Sequence, residues 1–304
     1  MKLEIQRLSK VYPNGNKALD DVSLTIESGM FGLLGPNGAG KSTLMRILVT
    51  LLEPSSGSVF VDGLDISKHR DEIRCMLGYL PQDFRFFSNL TTYEFLDYGA
   101  RLSGMRDSKT RRHAINQMLE TLGLFEARDR KANKLSGGMK RRLGIAHALI
   151  NDPRIIIVDE PTTGLDPEER IRFRNLLSTI SSRDVIIILS THIVADISST
   201  CRNMALLSNG KLAYGGSPEG LIESAKGKIW QMTVNREEMD TISNQFPITT
   251  TIPVDEGWEI EVVADDPSPF KGIQIEPTLE HAYVYFMDKH SIRSNNLIID
   301  IEEK

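Results

Sequence analysis

The chain has 304 residues, of which 40% are apolar and 25% charged, an ordinary globular composition that excludes intrinsic disorder as the main state. The net charge of −5 is uneven: residues 221–304 carry 16 acids and 7 bases, while the preceding part is mildly basic. An acidic tail is a poor nucleic-acid binder, so we expect no nucleic-acid partner. Two cysteines build no disulfide framework, and no apolar run approaches the roughly 18 residues of a membrane span, so we expect a soluble protein of a reducing compartment.

The first 61 residues are predicted to form several strands and one helix. Alternating apolar and polar residues before residue 27 are typical of half-buried strands, with a turn at 13–16. The apolar run Met30–Leu34 predicts a buried strand, and Ser42–Leu52 has the pattern of a helix. Another strand is predicted at Ser58–Val61.

The middle of the chain alternates helical and strand patterns. Residues 91–126 are predicted to be helical, and another helix begins near Gly138 and ends near Ile150. The runs Ile155–Val158 and Val185–Leu189 are apolar at every position, which is typical of parallel strands covered on both faces. This alternation predicts an α/β fold.

The character of the chain changes after about residue 220. Both tryptophans lie here, in the β-like run Ile229–Val234 and at the start of Trp258–Val263, and Pro277–His290 reads as a final helix. We therefore expect two domains, residues 1–220 and a small α+β accessory domain at 221–304.

A glycine-rich segment between a predicted strand and a predicted helix fits the phosphate-loop pattern G-x-x-x-x-G-K-[ST]. Backbone N–H groups of such a loop surround phosphate oxygens, and the helix N-terminus adds positive potential. Lys41 is expected to reach the β- and γ-phosphates and the Ser42 hydroxyl to bind Mg²⁺. The alternative is a plain turn with a chance lysine. The candidate residues are Gly35, Pro36, Asn37, Gly38, Ala39, Gly40, Lys41, Ser42 and Thr43.

Two carboxylates follow the apolar run 155–158, at the edge where α/β sheets bind ligands. Asp159 is expected to hold Mg²⁺ and Glu160 to polarise the attacking water. The alternative is a strand followed by a solvated acidic turn. Beside a phosphate loop, we favour the functional reading.

The segment Leu135–Met139 predicts a second anion site. Ser136 can cap the following helix, and Gly137 and Gly138 leave backbone N–H groups bare. Because one phosphate loop already holds a triphosphate, a second phosphate site suggests that another copy of the chain supplies it across a symmetric interface. The alternative is an ordinary helix cap.

The ordered set of motifs closely resembles the ATP-binding subunit of an ABC transporter, over about two thirds of the chain. The set comprises GPNGAGKST, Leu80-Pro81-Gln82, LSGGM, IIIVDEP, Gly164-Leu165-Asp166 and Ser190-Thr191-His192. The resemblance implies a P-loop ATPase domain with a mainly parallel sheet, an antiparallel β subdomain and a helical arm at about residues 88–150. It also implies ATP and Mg²⁺ as ligands.

The resemblance also implies roles for single residues. Tyr12 resembles the aromatic that stacks on adenine, with a packed strand aromatic as the alternative. Gln82 resembles the glutamine that contacts Mg²⁺ and the attacking water; the alternative is a surface glutamine. Asp166 resembles the aspartate that links the two sites of a dimer. His192 resembles the histidine that contacts the γ-phosphate, and a structural histidine at a strand end is the alternative.

The resemblance implies two partners, a second ATPase subunit in a homodimer or paralogous heterodimer and an integral membrane transporter subunit. The chain is then expected in the cytoplasm, on the inner face of the cell membrane. Met139 followed by three basic residues, and the segment Glu276–Glu280, resemble export-type subunits, although His281–Tyr283 departs from that branch. An importer subunit is one alternative. A soluble ABC ATPase of DNA repair or the ribosome is another, although no coiled-coil heptads support it.

Six aromatic residues lie between Gln82 and Gly104. A packed helical arm would explain them. The alternative is an exposed groove that accepts a short helix of the membrane subunit.

Overall fold

The computed structural model describes residues 1–87, 89–162, 165–181, 184–255 and 257–289. The chain divides into two units, Met1–Gly215 and Gly216–Lys304. The predicted boundary after Gly220 falls inside the helix Pro218–Ser224, whose first turn is capped by the Ser217 side chain. The second unit therefore begins just before that helix.

The first unit combines two sheets with helices. Its strands are β1 (Lys2–Val11), β2 (Lys17–Glu27), β3 (Gly29–Leu34), β4 (Ser56–Val61), β5 (Leu64–Asp65), β6 (Leu77–Leu80), β7 (Ile155–Asp159), β8 (Ile186–Thr191), β9 (Asn203–Ser208) and β10 (Lys211–Gly216). Its helices are α1 (Lys41–Leu48), α2 (Arg70–Met76), α3 (Thr92–Leu102), α4 (Ser108–Thr121), α5 (Gly137–Leu149), α6 (Pro167–Ser181) and α7 (Val194–Ser198), with 3₁₀ turns at Phe125–Ala127 and Ala132–Lys134.

The larger sheet has the strand order β10-β9-β3-β8-β7-β6. The pairs from β9 through β3, β8 and β7 to β6 are parallel. Every residue of β7 and β8 is buried, as their continuous apolar runs predicted. The prediction of a mainly parallel α/β core is confirmed. Parallel strands end at one edge, so the segments after β3, β6, β7 and β8 lie close together.

The smaller sheet of the first unit is antiparallel, in the order β2-β1-β4-β5. Its alternating side chains pack on one face against α1 and the larger sheet, where Leu3, Ile5, Val22, Leu44 and Ile47 are buried. This sheet is the predicted antiparallel β part.

The segment 88–150 forms a helical arm of α3, α4 and α5, with Ser88 outside the described residues. The helical character predicted for residues 91–126 is present, divided between α3, α4 and the 3₁₀ turn Phe125–Ala127. Gly104 adopts the left-handed φ of 92° and ends the first helix region, and the Asp107 side chain caps α4 by accepting from the Thr110 amide. α1 likewise ends at Leu48, because Thr50 has a φ of 60°.

The second unit contains α8 (Pro218–Ser224), β11 (Ile229–Val234), α9 (Arg236–Gln245), β12 (Ile248–Val254), β13 (Gly257–Val263), β14 (Ile273–Gln274) and α10 (Leu279–Lys289). Its antiparallel sheet has the order β12-β13-β11-β14. Met232, Ile242, Ile260 and Val262 form its buried core. Pro253 is accommodated in β12 because that strand lies at a sheet edge.

The sequence prediction missed α9, which Asn235 and Glu238 open through a reciprocal capping box. The predicted last helix corresponds to α10, and its final predicted residue, His290, lies outside the described residues. In the part of the chain that is described, no helix combines the length and the apolar character needed to cross a membrane.

Candidate active site

The glycine-rich loop lies between β3 and α1, as predicted. Gly40 has a φ of 104°, and a Cβ atom there would clash with the carbonyl oxygen of Ala18. A Cβ atom at Gly35, φ 154°, would clash with the carbonyl oxygen of Leu207. Only glycine satisfies both the left-handed backbone and the close approach, so these two positions fix the shape of the loop.

Lys41 begins α1 and is 7% exposed. Its Nζ donates to the carbonyl oxygen of Gly35 at 2.6 Å and to that of Pro36 at 3.2 Å. Burial lowers the pKa of the Lys41 ammonium, while the charges of Glu160 and Asp159 raise it. The ammonium is therefore held inside the loop, facing two carboxylates.

Asp159 is the last residue of β7 and is 5% exposed. Burial raises the pKa of its carboxyl, and the charge of Glu160 raises it further. The neighbouring Ser190 hydroxyl, the Lys41 ammonium and the Ser42 hydroxyl lower the pKa of this carboxyl and oppose that rise. Asp159 and Ser42, the predicted magnesium ligands, line the same cleft.

Glu160 follows directly in a strained backbone conformation, with a φ of 46°. Its amide donates to the carbonyl oxygen of Ser190 at 2.9 Å. Its Oε2 lies 2.7 Å from Nδ1 of His192, whose side chain is 51% exposed while that of Glu160 is 6% exposed. The conformation therefore directs a nearly buried carboxylate at an imidazole that borders solvent.

A cleft of about 490 Å³ joins these groups. Most of the predicted site residues line it: Tyr12, Asn37, Gly38, Ala39, Gly40, Lys41, Ser42, Thr43, Gln82, Asp159, Glu160 and His192. The Tyr12 hydroxyl lies 3.2 Å from the Thr43 hydroxyl, and the Lys10 ammonium lies 5.7 Å from the centre of the Tyr12 ring. Gly35 and Pro36 contribute through the carbonyls that Lys41 contacts.

The segment Ser136–Gly138 does not line this cleft, and neither does Asp166. Ser136 caps α5 by accepting from the Met139 amide at 3.3 Å, and both Ser136 and Gly137 are exposed. Asp166 is also exposed and accepts from the Glu169 amide at 2.9 Å. Gly164, quoted with Asp166 in the sequence motif, lies outside the described residues.

Sequence reasoning missed other residues of the cleft: Asn16, Lys17, Ala18 and Asn209. The Asn209-Gly210 pair is a turn signal that could have drawn attention to one of them. Asn209 has a φ of 47°, and the Gly210 amide donates to the carbonyl oxygen of Ala39 at 3.1 Å. This turn therefore supports the phosphate loop from the side of β9.

The aromatic residues after Gln82 are partly buried and partly exposed. Phe95 is 4% exposed, and its ring centre lies 5.8 Å from that of Phe84. Phe87 and Tyr98 are 54% and 43% exposed, and their rings meet edge to face at 5.5 Å. Part of the set is therefore core, whereas Phe87 and Tyr98 form an exposed aromatic pair.

A phosphate loop beside two carboxylates, at the carboxyl edge of a parallel sheet, is the arrangement of a P-loop nucleotide-hydrolysing domain. Residues 19–163 match the protein family described as ABC transporter. The chain belongs to the family of ABC transporter ATP-binding proteins, which are ATPases.

Two relatives of known sequence illustrate the relationship. YxlF of Bacillus subtilis strain 168, an uncharacterized ABC transporter ATP-binding protein, is 34% identical over 251 residues, which are 82% of each chain. YbhF of Escherichia coli K12, a probable multidrug ABC transporter ATP-binding protein, is 36% identical over 237 residues, 77% of this chain. The chain spans 41% of the length of YbhF.

Among solved structures, a similar one is the dimeric, post-hydrolysis state of the ATP-binding cassette MJ0796 bound to ADP and Pi. The superposition has a TM-score of 0.65 at 26% sequence identity, and the match covers 71% of this chain and 98% of the MJ0796 chain.

Proposed function

We propose that this chain binds ATP with Mg²⁺ and hydrolyses it to power transport through a separate membrane subunit. This proposal rests mainly on the cleft at the N-terminus of α1, which is lined by Lys41, Asp159, Glu160 and His192. A cation, bare backbone N–H groups and a positive helix end favour a polyphosphate at this place.

Lys41 is proposed to exchange its two carbonyl partners for the β- and γ-phosphates. The contacts to Gly35 and Pro36 keep the ammonium extended along the loop before nucleotide arrives. Because burial disfavours the charged ammonium, a phosphate that restores a strong anionic partner is favoured. Tyr12, which lines the same cleft, is proposed to stack on adenine.

Ser42, Gln82 and Asp159 would hold Mg²⁺. A hydroxyl, an amide oxygen and a carboxylate are the hard oxygen donors that this ion prefers. The ion would supply charge neutralisation at the phosphates. Ser42, Gln82 and Asp159 line one cleft, which supports this assignment.

Glu160 is proposed as the general base, with His192 contacting the γ-phosphate and Gln82 orienting the water. The short Glu160–His192 contact keeps the carboxylate facing the cleft instead of the core. A base that is almost buried keeps its proton-accepting oxygen away from competing bulk water.

A second ATPase subunit is proposed to complete each site. Ser136, Gly137, Gly138 and Asp166 lie outside the cleft of their own chain, and an exposed capped helix start is suited to a phosphate held by another subunit. Two nucleotides would then be sandwiched in a head-to-tail dimer. The dimeric cassette MJ0796 is a precedent for such pairing.

The membrane partner is proposed to dock at the exposed aromatic pair Phe87 and Tyr98. Both lie close along the chain to Gln82, so movement at the nucleotide could reach the docking surface. The transport direction is proposed to be export. This agrees with Met139, the last residue of the segment Leu135–Met139, which is called the signature below, and with the name of YbhF. The chain would then work at the inner face of the cell membrane. An importer subunit and a soluble ABC ATPase remain the second and third candidates.

Lys41→Ala tests the nucleotide site. The variant should lose ATP binding, because the loop loses the ammonium that faces the phosphates. Lys226→Ala serves as the matched control. Lys226 is an exposed lysine just after α8, so this variant should bind ATP normally. Titration with a fluorescent ATP analogue measures both. Unchanged affinity in Lys41→Ala would overturn the assignment.

A further inference from the structure

The guanidinium of Arg141 contacts the backbone on both sides of the proposed general base. Its Nη2 donates to the carbonyl oxygen of Glu160 at 2.7 Å and to that of Asp159 at 3.1 Å. Its Nε donates to the carbonyl oxygen of Pro161 at 2.9 Å. One side chain from α5 therefore holds three consecutive carbonyls at the end of β7.

The same guanidinium contacts the segment that carries Gln82. Nη1 of Arg141 donates to the carbonyl oxygen of Gln82 at 3.2 Å and to that of Pro81 at 3.4 Å. Gly144, one turn further along α5, lets this segment approach: a Cβ atom there would lie 2.8 Å from Leu80. Arg141 thus joins α5 to two separate loops of the cleft.

The side chain is suited to this task because a guanidinium carries five donors in a rigid planar fork. A lysine ammonium carries its three donors on a single nitrogen atom, so it cannot span carbonyls that are spaced as widely as these five. Burial lowers the pKa of the Arg141 guanidinium, and the charges of Asp159 and Glu160 raise it. An arginine in such a place stays charged.

The contacts fall where the backbone is strained. Glu160 adopts a φ of 46°, a left-handed conformation that a residue with a Cβ atom rarely takes. Strain of this kind persists only when the surrounding structure fixes it. Arg141 donates to the Glu160 carbonyl, and the Glu160 amide donates to the Ser190 carbonyl, so the two peptide groups that flank Glu160 are both fixed.

We propose that Arg141 is a positioning residue. It sets the orientation of the Glu160 side chain and makes that orientation depend on the position of α5. Ser136 caps α5, and Arg141 lies five residues later, about 7.5 Å along a rigid helix. A displacement of the helix start by a partner's nucleotide would therefore move the guanidinium, and with it the base of the same chain. This inference rests on the proposed function.

Arg142, the next residue, provides a matched control. It has the same side chain on the same helix, and its Nη1 also donates to two backbone carbonyls, those of Leu122 and Gly123. These carbonyls belong to the helical arm and lie outside the cleft. A loss that is due merely to weakened packing of α5 should appear in both arginine variants.

The test compares Arg141→Lys with Arg142→Lys in the full chain. Arg141→Lys should lower kcat by roughly 10- to 100-fold, the cost of misplacing a reacting group by about 1 Å. ATP affinity should stay within about twofold, because the phosphate loop is untouched. Arg142→Lys should leave kcat within about twofold of wild type. Equal kcat values for the two variants would overturn the proposal.

A second measurement separates positioning from general damage. If Arg141 acts through Glu160, then adding Arg141→Lys to Glu160→Gln should lower the single-turnover rate by less than about threefold further. A full multiplicative loss would mean that Arg141 acts independently of Glu160 and would overturn the proposal.

Folding and the parent proposal are checked separately. Should Arg141→Lys and Arg141→Gln both unfold where Arg142→Lys stays folded, Arg141 is a structural residue and the inference is wrong. If wild type fails to hydrolyse ATP, or Glu160→Gln turns over normally, the proposed function itself fails. If those two behave as proposed while Arg141→Lys keeps the wild-type kcat, this inference alone fails.

Discussion

Replacing Glu160 by glutamine removes the proposed general base with almost no change of shape. In the wild-type structure, Nδ1 of His192 lies 2.7 Å from Oε2 of Glu160, and the glutamine amide can keep a hydrogen bond at this place. The hydrogen bond from the backbone amide of residue 160 to the Ser190 carbonyl is unaffected. An amide oxygen, however, does not accept a proton from water. A positioned general base contributes about 10²–10⁴ in rate, which is about 2.7–5.4 kcal/mol of activation free energy.

Phosphate release and nucleotide binding measured on the same sample give the assay. Glu160→Gln should lose that factor in turnover and keep its ATP affinity, so ATP-bound dimers should accumulate in gel filtration. Glu168→Gln is the matched control, because Glu168 is a 76% exposed carboxylate paired with Arg172 on α6. Lys41→Ala prepared in parallel measures contaminating ATPase. Wild-type turnover in Glu160→Gln would refute the assignment of the base.

Three further changes test packing, thiol burial and docking. The Thr162 hydroxyl donates to Oδ2 of the buried Asp196 at 2.5 Å, so Thr162→Val should lower the free energy of unfolding by about 1.5–3 kcal/mol in urea titration. Cys75 is exposed, whereas burial raises the pKa of the Cys201 thiol from 9.0 to about 11, so a thiol reagent near pH 8 should label one cysteine per folded chain. The Cys201 thiol ionises at a lower pH in the unfolded chain than in the folded one. The contribution of the buried, protonated thiol to the free energy of unfolding should therefore be present below pH 9.0 and be lost as the pH rises toward 11. Phe87→Asp should keep ATPase activity and abolish co-purification with the membrane subunit, because the exposed ring is proposed to dock that subunit and does not belong to the core.

Each of these has its own control and its own contradicting result. Thr121→Val removes a hydroxyl bonded to a helix carbonyl on an exposed surface and should cost below about 0.5 kcal/mol. Equal costs in both threonine variants would argue against the buried Asp196 contact. Equal labelling rates for the two cysteines would contradict the burial of Cys201. Ile171→Asp, at a 49% exposed apolar residue of α6, should retain co-purification, and retention by Phe87→Asp as well would move the docking surface elsewhere.

The sequence predicted the part of the cleft that is built from contiguous residues. The loop residues and Lys41 follow one strand, and Asp159 and Glu160 end another, so a parallel sheet alone brings them together. Gln82 and His192 carry no local signal and were assigned through the resemblance. The structure brings both into the cleft because β6 and β8 end at the same edge.

Contacts made across the fold could not be read from the sequence. Arg141 belongs to a basic run on a helix, a pattern that predicts a solvated face. Only the packing of α5 against β6 turns its side chain toward five carbonyls. Lys17 and Asn209 reach the cleft from turns whose sequence signal shows a bend but not its neighbour. α9 was missed because its apolar positions are few, and its capping box was overlooked.

The central claim is that each ATP is held by the phosphate loop of one subunit and the signature of another. Lys41→Ala disables the loop, and Ser136→Arg places a bulky cation at the helix start where the opposing γ-phosphate would bind. Each variant alone should show neither turnover nor ATP-dependent dimers, because every composite site then carries one defect. Co-expression with two different tags and tandem purification yields dimers that contain one copy of each.

In that mixed dimer one composite site carries both defects and the other carries neither. ATP hydrolysis by the tandem-purified mixed dimer, beside wild-type dimers isolated in the same way, is therefore the most direct measurement. If the sites are shared, the activity of the mixed dimer should be well above that of both parent variants and approach the contribution of one intact site per dimer. Activity no higher than that of either parent would contradict the shared nucleotide site.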